Sequence, residues 1–280
     1  MTVPTMKLHS QFNTNCETKN NPFFGFYRGR TDTGVHASGA VFTVDLTTSE
    51  VKRFSKTQGK NEDKSNGSQQ QLEDVANTLC SALKEFSHRP GSMTAKSVIA
   101  VPANFDARFS CLWKTYVYYI SCGHQNDRSP FIARFAWQLD PLLEYDAMAD
   151  AVRMLNGTHN FRWLSVVEEG ELRSPIRKLN LSFEKMEGSS IFQNDGTTLL
   201  KVSGTCDFFL YSMMRRIVGV LVSIGMLKTK LSTLRECIKV QDEIEDGDGH
   251  TDKVKVPRGL LQTAPANGLC LEHVEYNIEI

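Results

Sequence analysis

The hydrophobic and polar positions change period several times along the chain. Residues 41–46 alternate apolar and polar side chains, the period of a half-buried strand. Over residues 72–86, Val75, Leu79, Leu83 and Phe86 recur at spacings of four, four and three and share one helix face. Residues 97–101 and 115–121 read as strands. After Pro141 the pattern restarts. Met148, Val152 and Leu155 line one side of a short helix over 145–155, and Asn156-Gly157 is a helix stop. Residues 179–185 and 198–203 read as strands separated by a turn. The most apolar helix is expected over 209–227, another helix over 231–240, and a closing strand over 269–276.

Three stretches carry no such period. Residues 1–22 are polar and rich in Asn and Thr, so residues 1–28 are expected to be a poorly ordered lead, with one strand at best in the aromatic stretch 20–27. Residues 56–71 read as a solvated loop, and residues 242–258 as a charged loop, acidic first and basic afterwards. Strand runs and helix runs mix without a regular strand–helix–strand repeat. The expected class is α+β, with antiparallel sheet backed by helices in each of two halves, 29–140 and 141–280.

Composition narrows the function classes. Hydrophobic residues make up 40% and charged residues 23% of the 280, which excludes a chain disordered throughout. Lys plus Arg equals Asp plus Glu at 32 each, which excludes a globally basic protein coating nucleic acid by charge alone. The zero is a sum over unlike regions. Residues 201–240 carry Lys201, Arg215, Arg216, Lys228, Lys230, Arg235 and Lys239 against Asp207 and Glu236. Residues 242–252 carry six acids and no Lys or Arg. A local basic cleft is compatible with that distribution. The seven cysteines are odd in number and none forms a close pair, which excludes a zinc ribbon or a thioredoxin-like dithiol. Reduced thiols in an intracellular protein are expected, with cytoplasm, nucleus and mitochondrion all open. The longest apolar run, 217–227, is too short to span a bilayer, and the first fifteen residues hold no signal core. No membrane partner is expected.

The segment richest in chemistry is Gly29-Arg30-Thr31-Asp32-Thr33-Gly34-Val35-His36-Ala37. Its glycines permit a tight turn that displays an acid, and neighbouring donors would hold the carboxylate ionised. From spacing alone it also reads as a plain polar turn. Asp32-Thr33-Gly34 spells the aspartic-protease triplet, but that chemistry needs two carboxylates sharing a proton. No second such triplet exists in the chain, and Gly29-Arg30-Thr31 is polar where those proteases are apolar. His36 and His159 lack ligand spacing. A calcium loop starting at Asp242 would place Ile244 at position three and Lys253 at position twelve, so none forms. No phosphate-binding glycine loop and no Gly-x-Ser-x-Gly occurs. Neither a metal nor a cofactor is implied.

The nine residues resemble the Gly-Arg-Thr-Asp-Ala-Gly-Val-His-Ala signature of the TruA family of tRNA pseudouridine synthases, with Thr33 the one difference. Three further stretches agree in order. Phe105-Asp106-Ala107-Arg108-Phe109-Ser110 with Lys114-Thr115-Tyr116-Val117-Tyr118 is similar to the family's Ala-Arg-Phe-Ser and Arg-Tyr-x-Tyr segment. The helix containing Met213-Met214-Arg215-Arg216-Ile217-Val218-Gly219 resembles its Met-Val-Arg-Asn-Ile-Val-Gly helix. Residues 264–271 resemble its Ala-Pro-Ala-x-Gly-Leu-x-Leu ending. The charged loop and this ending look closest to the eukaryotic branch called tRNA pseudouridine synthase-like 1.

The resemblance implies a pseudouridine synthase fold with the two sheets joined into one, a central basic cleft, and a homodimer. It implies isomerisation of uridine in tRNA, in or near the anticodon stem-loop, without metal or cofactor. Asp32 is then the nucleophile, Arg215 its cationic partner, and Tyr116 the ring that holds the detached base. Tyr118 and Tyr119 are neighbouring alternatives. Arg30, Thr31, His36, Arg108 and Arg216 are expected on the substrate, with Arg216 the better candidate for a surface contact, to phosphate or solvent. One departure stands out. The family carries a strand and a helix ahead of the Asp signature, and the 28 residues before Gly29 do not match them. A shortened front is therefore expected, and with it a rival reading: an RNA-binding relative with impaired catalysis.

Overall fold

A computed structural model describes residues 6–8, 10–12, 31–46, 51, 67–86, 94–102, 104–123, 129–140, 143–166, 174–186, 197–243 and 256–277. Arg30, the aromatic stretch 20–27, and most of the loops expected over 56–71 and 242–258 lie outside the described residues. The structure is α+β, as expected. The chain divides into two compact units, residues 1–112 with 271–280, and residues 113–270. This differs from a boundary near residue 140. Residues 113–140 supply strands to the second unit's sheet, and the chain's end returns to the first.

In the first unit, β1 (Met6–Leu8) and β2 (Ser10–Phe12) fall within the lead expected to be poorly ordered. Strand β3 (His36–Ala37) is followed by β4 (Ala40–Phe42) and β5 (Asp45–Leu46). The alternation over 41–46 is therefore split at Thr43-Val44 rather than carried by one strand. Helix α1 (Gly67–Phe86) starts five residues earlier than its apolar period, inside the stretch read as loop. Only Ala100–Val101, β6, is strand in the run expected at 97–101. β1 lies between β5 and β6, antiparallel to both, and β2 pairs antiparallel with β4. Val75 and Ala76 of α1 are buried with Leu46 and Val98, and Leu72, Leu79 and Leu83 pack around them. The spacing of four from Val75 through Leu79 to Leu83 thus seats α1 as expected, while the Phe86 side chain lies outside the described residues.

Strand β7 (Cys111–Cys122) has its first two residues in the first unit and the rest in the second. β8 (Trp137–Leu139) runs parallel beside it. Helix α2 (Tyr145–Leu155) has the predicted bounds and leads into β9 (Gly157–Asn160). β10 (Ile176–Met186) and β11 (Thr198–Cys206) form a long antiparallel pair, and the order is β7-β11-β10-β9. Helices α3 (Met213–Gly225) and α4 (Leu231–Asp242) follow. β12 (Leu269–Tyr276) closes the chain with the predicted bounds.

The helix stop at Asn156 works through its side chain rather than through a left-handed glycine. Asn156 is extended, its Nδ2 donates to the Leu181 carbonyl at 2.8 Å, and Leu181 N donates to its Oδ1 at 2.5 Å. One residue edge of β10 is thereby pinned to the end of α2. Across the sheet, Tyr118 faces Val202 and Tyr116 faces Gly204, which faces Leu181. Tyr118, Ile120, Leu200, Val202, Leu179 and Leu181 are buried on this face. α2 packs on β10, and Met214 of α3 lies over Gly204.

α3 buries every residue from Ile217 to Gly225. Its expected first turn, 209–212, is not helical, because Ser212 is left-handed at φ 59. Within α3, a Cβ on Gly219 would land on the carbonyl oxygen of Gln262. That contact is with backbone and cannot be relieved by a rotamer change. Gly219→Ala is expected to cost about 1–3 kcal/mol or more by overpacking. A lowered urea midpoint at unchanged slope is the measurement, and an unaltered midpoint would refute it.

Candidate active site

The expected site residues fall in both units, Asp32 in the first, Tyr116 and Arg215 in the second. In the first unit, the Asp signature forms a turn ahead of β3. Val35 N donates to the Asp32 carbonyl at 3.0 Å, and Gly34 takes φ 82, where a side chain is strained. Thr33 and Gly34 are exposed, Val35 is buried, and Thr31, Asp32 and His36 are half-buried. Val35, buried directly after the exposed turn, holds the backbone beside Asp32 in place. Immediately beyond, Ser38 N and Gly39 N both donate to the Leu271 carbonyl, at 2.9 and 3.0 Å. The turn is thus anchored to β12.

The other end of β12 holds the Arg108 turn. Tyr276 donates its hydroxyl to the Ala107 carbonyl at 2.7 Å and packs its ring against Phe105 at 5.1 Å. Burial pushes the Tyr276 hydroxyl's pKa up, which keeps it a neutral donor. Asp106 Oδ1 accepts from the backbone N of Arg108 and of Phe109, and Ser110 Oγ accepts from Asp106 N. This closed turn leaves Arg108 exposed, its guanidinium 5.4 Å from the centroid of the exposed Phe109 ring. A cation and an aromatic ring presented together suit a nucleic-acid strand.

In the second unit, Tyr116 is half-buried and meets Phe209 edge-to-face, with centroids 5.0 Å apart and planes at 81°. Phe209 therefore limits the rotation of the Tyr116 ring. Arg215 sits in the first turn of α3, half-buried. Its Nε donates to the Ala264 carbonyl at 2.8 Å, and Ala264 N donates back to the Arg215 carbonyl at 3.0 Å. Next to Ala264, the Pro265 carbonyl accepts the Tyr118 hydroxyl at 2.7 Å. Tyr118 is fully buried, and its ring fills the space a side chain at Gly268 would need. Burial raises its pKa, a shift only partly opposed by the positive charge of Arg215. Tyr118 is a neutral, fixed strut for the segment that grips Arg215.

The sequence marks Tyr118 only as an alternative to Tyr116 and assigns residues 264–268 no role. The Ala264-Pro265-Ala266-Asn267-Gly268 stretch was visible as a motif, yet nothing in it names the side chain that it touches. Tyr118→Phe keeps the ring and removes the bond. About 1–3 kcal/mol of stability should go with the unsatisfied carbonyl, and turnover should fall with a loosened Arg215. Parallel denaturation and rate measurements test this; an unchanged rate would remove Tyr118 from the positioning role.

Arg216 is only partly withdrawn from the surface on which it is expected. It is half-buried, and its Nη1 donates to the Ser165 carbonyl at 2.6 Å. Desolvation lowers its pKa. The 100° step around α3 turns it away from its neighbour toward the 3-10 turn Arg162–Leu164 and the loop after it. Among the described residues, no group of three His, Cys, Asp or Glu side chains could hold a metal ion, and no helix is long and apolar enough to cross a membrane.

Comparison with known proteins decides the lineage. A family profile described as tRNA pseudouridine synthase matches residues 151–277, which include Arg215 and Arg216. The tRNA pseudouridine synthase A of Moorella thermoacetica is 30% identical over 89% of this chain and 80% of its own length. The chain belongs to the TruA family of tRNA pseudouridine synthases. It is by that membership an isomerase. The protein of the same name from Dictyoglomus thermophilum is 29% identical over 89% of this chain and 80% of its own length. That from Leifsonia xyli is 30% identical over 90% and 75%. In this family member the turn, the tyrosine and the clamped arginine are the candidate machinery.

Proposed function

We propose that this chain isomerises uridine to pseudouridine in tRNA, in or near the anticodon stem-loop, with Asp32 as nucleophile. The observation that carries the reading is the reciprocal clamp on Arg215, Nε to the Ala264 carbonyl and Ala264 N to the Arg215 carbonyl. A guanidinium held by Nε has its two terminal nitrogens aimed in a fixed direction. A bidentate grip on a carboxylate uses that fork, and Asp32 is the carboxylate for which the chemistry needs it.

The reaction breaks the N1–C1′ bond of uridine and forms a C5–C1′ bond. The C5 proton leaves to solvent, and N1 takes one up. No oxidant or reductant enters. Asp32 supplies the nucleophilic carboxylate, Arg215 is its cationic partner, and Tyr116 stacks on the detached uracil. Arg30, Thr31, His36, Arg108 and Arg216 contact the RNA, chiefly its backbone and the flipped nucleotide. The working form is a homodimer inside the cell, a setting that suits the six free thiols among the described residues. The residue 242–258 loop and the 264–271 ending favour the eukaryotic synthase-like 1 branch.

Tritium release from tRNA labelled at C5 of uracil tests the reading, because the label leaves only when the C5–C1′ bond forms. Release in step with site-resolved pseudouridine is the expected result. Binding of tRNA with no release would identify an RNA-binding relative instead.

A further inference from the structure

Three arginines of the second unit lie on neighbouring elements outside the reacting group, and of these only Arg216 is already assigned to the substrate. Arg162 opens the Arg162–Leu164 turn, Arg177 is the second residue of β10, and Arg216 lies in α3. Hydrogen bonds join their supports. Arg216 Nη1 donates to the Ser165 carbonyl, and Ser165 N and Oγ both donate to the Arg162 carbonyl, at 3.1 and 2.7 Å. Val166 N donates to the Tyr211 carbonyl at 3.0 Å. Arg177 stacks over Phe208, three residues before Tyr211, with its Cζ 5.4 Å from the ring centroid.

These cations are unmatched. Among the described residues, no Asp or Glu forms an ion pair with any of the three. The Nε atoms of Arg177 and Arg216 are buried and have no hydrogen-bond partner. Arg177 Nη1 donates only to the adjoining Ile176 carbonyl. A buried donor without an acceptor is destabilising, and a desolvated cation without a counter-charge more so. An anionic ligand would supply the missing counter-charge. Beside them Tyr211 is 44% exposed. Several spaced anionic oxygens next to a base that can stack on a ring describe a nucleic-acid strand rather than a single free phosphate.

We propose that Arg162, Arg177 and Arg216 form a phosphate-backbone site for RNA, with Tyr211 as a stacking platform at its edge. The proposal rests on tRNA being the substrate, and adds a contact outside the reacting group. The competing occupant is the chain itself. Glu168, Glu169 and Glu171 follow Val166 in sequence.

The test is binding of an unmodified tRNA transcript by the full chain across about 0.05–0.3 M salt. The double variant R162Q/R177Q should bind roughly tenfold more weakly near 0.1 M. The slope of log affinity against log salt should shrink by about 1.5, since each lost phosphate contact removes about 0.7–0.9. Adding R216Q should shrink it further, with melting followed to confirm folding. Tyr211→Ala should weaken binding at unchanged slope, because stacking releases no counterion. An unchanged slope in the double variant overturns the site. So does a double-mutant cycle in which Gln at 168, 169 and 171 abolishes the arginine effect on stability while RNA binding stays normal. Normal tritium release with an unchanged slope sinks only this site; absent release from the wild-type protein sinks the reading beneath it.

Discussion

Asp32→Asn should abolish pseudouridine formation and leave tRNA binding in place. The amide keeps the size and shape of the side chain but is neither anionic nor nucleophilic at neutral pH. Loss of a covalent nucleophile removes about four orders of magnitude or more of rate. The turn should survive, because its hydrogen bond runs from Val35 N to the backbone carbonyl of residue 32, not to the side chain. The conformation at Gly34, φ 82, is likewise independent of the carboxylate. RNA affinity should hold or rise slightly, since a negative charge is removed from a surface that meets phosphates. Single-turnover rates and filter binding on the same preparation separate the two effects. A variant that converts tRNA at the wild-type rate would refute the nucleophile assignment. A variant that loses binding in proportion to rate would make Asp32 a structural residue.

The Asp32 turn was legible because its chemistry is local. Gly34 two positions after an acid describes a tight turn, and its φ of 82 agrees; the role given to the acid rests on the family resemblance and not on this spacing. α2 was legible for the same reason, its period running through Met148, Val152 and Leu155 within three turns. The first turn of α1 was not, because Gly67-Ser68-Gln69-Gln70-Gln71 has the composition of a loop although glutamine is a fair helix former. The start of α3 was misplaced because an apolar run does not announce the left-handed Ser212 that delays it. Period two put Tyr116 and Tyr118 on one face but could not rank them. What ranks them is non-local. Gly268 and Pro265 lie about 150 positions away in sequence, and they bury Tyr118 while Tyr116 stays half-buried against Phe209. Separations of 49 and 51 positions hid the grip on Arg215 and the Ser165 contact of Arg216, which a helix pattern with two consecutive arginines leaves undecided.

Replacing Arg215 should cost stability and turnover together, in proportions that depend on the replacement. Arg215→Ala removes the Nε donor and leaves the Ala264 carbonyl without it, a loss of about 1–3 kcal/mol. The return bond from Ala264 N to the residue 215 carbonyl is backbone and should persist. The turnover loss should be larger, roughly 100- to 1000-fold, the scale seen when a preorganised electrostatic donor is deleted. Arg215→Lys separates the two contributions. It restores a positive charge but has no Nε–H at the branching position, so the clamp on Ala264 is not rebuilt and the ammonium swings as a point charge. Lysine should therefore recover part of the rate and little of the stability. Tyr118→Phe should resemble a mild form of Arg215→Lys, since it weakens the same clamp from behind through Pro265. If Arg215→Lys were fully active, a cation alone would suffice and the fixed fork would have no catalytic role. If Arg215→Ala left melting and rate unchanged, the arginine would be a surface residue and the proposed pairing with Asp32 would fall.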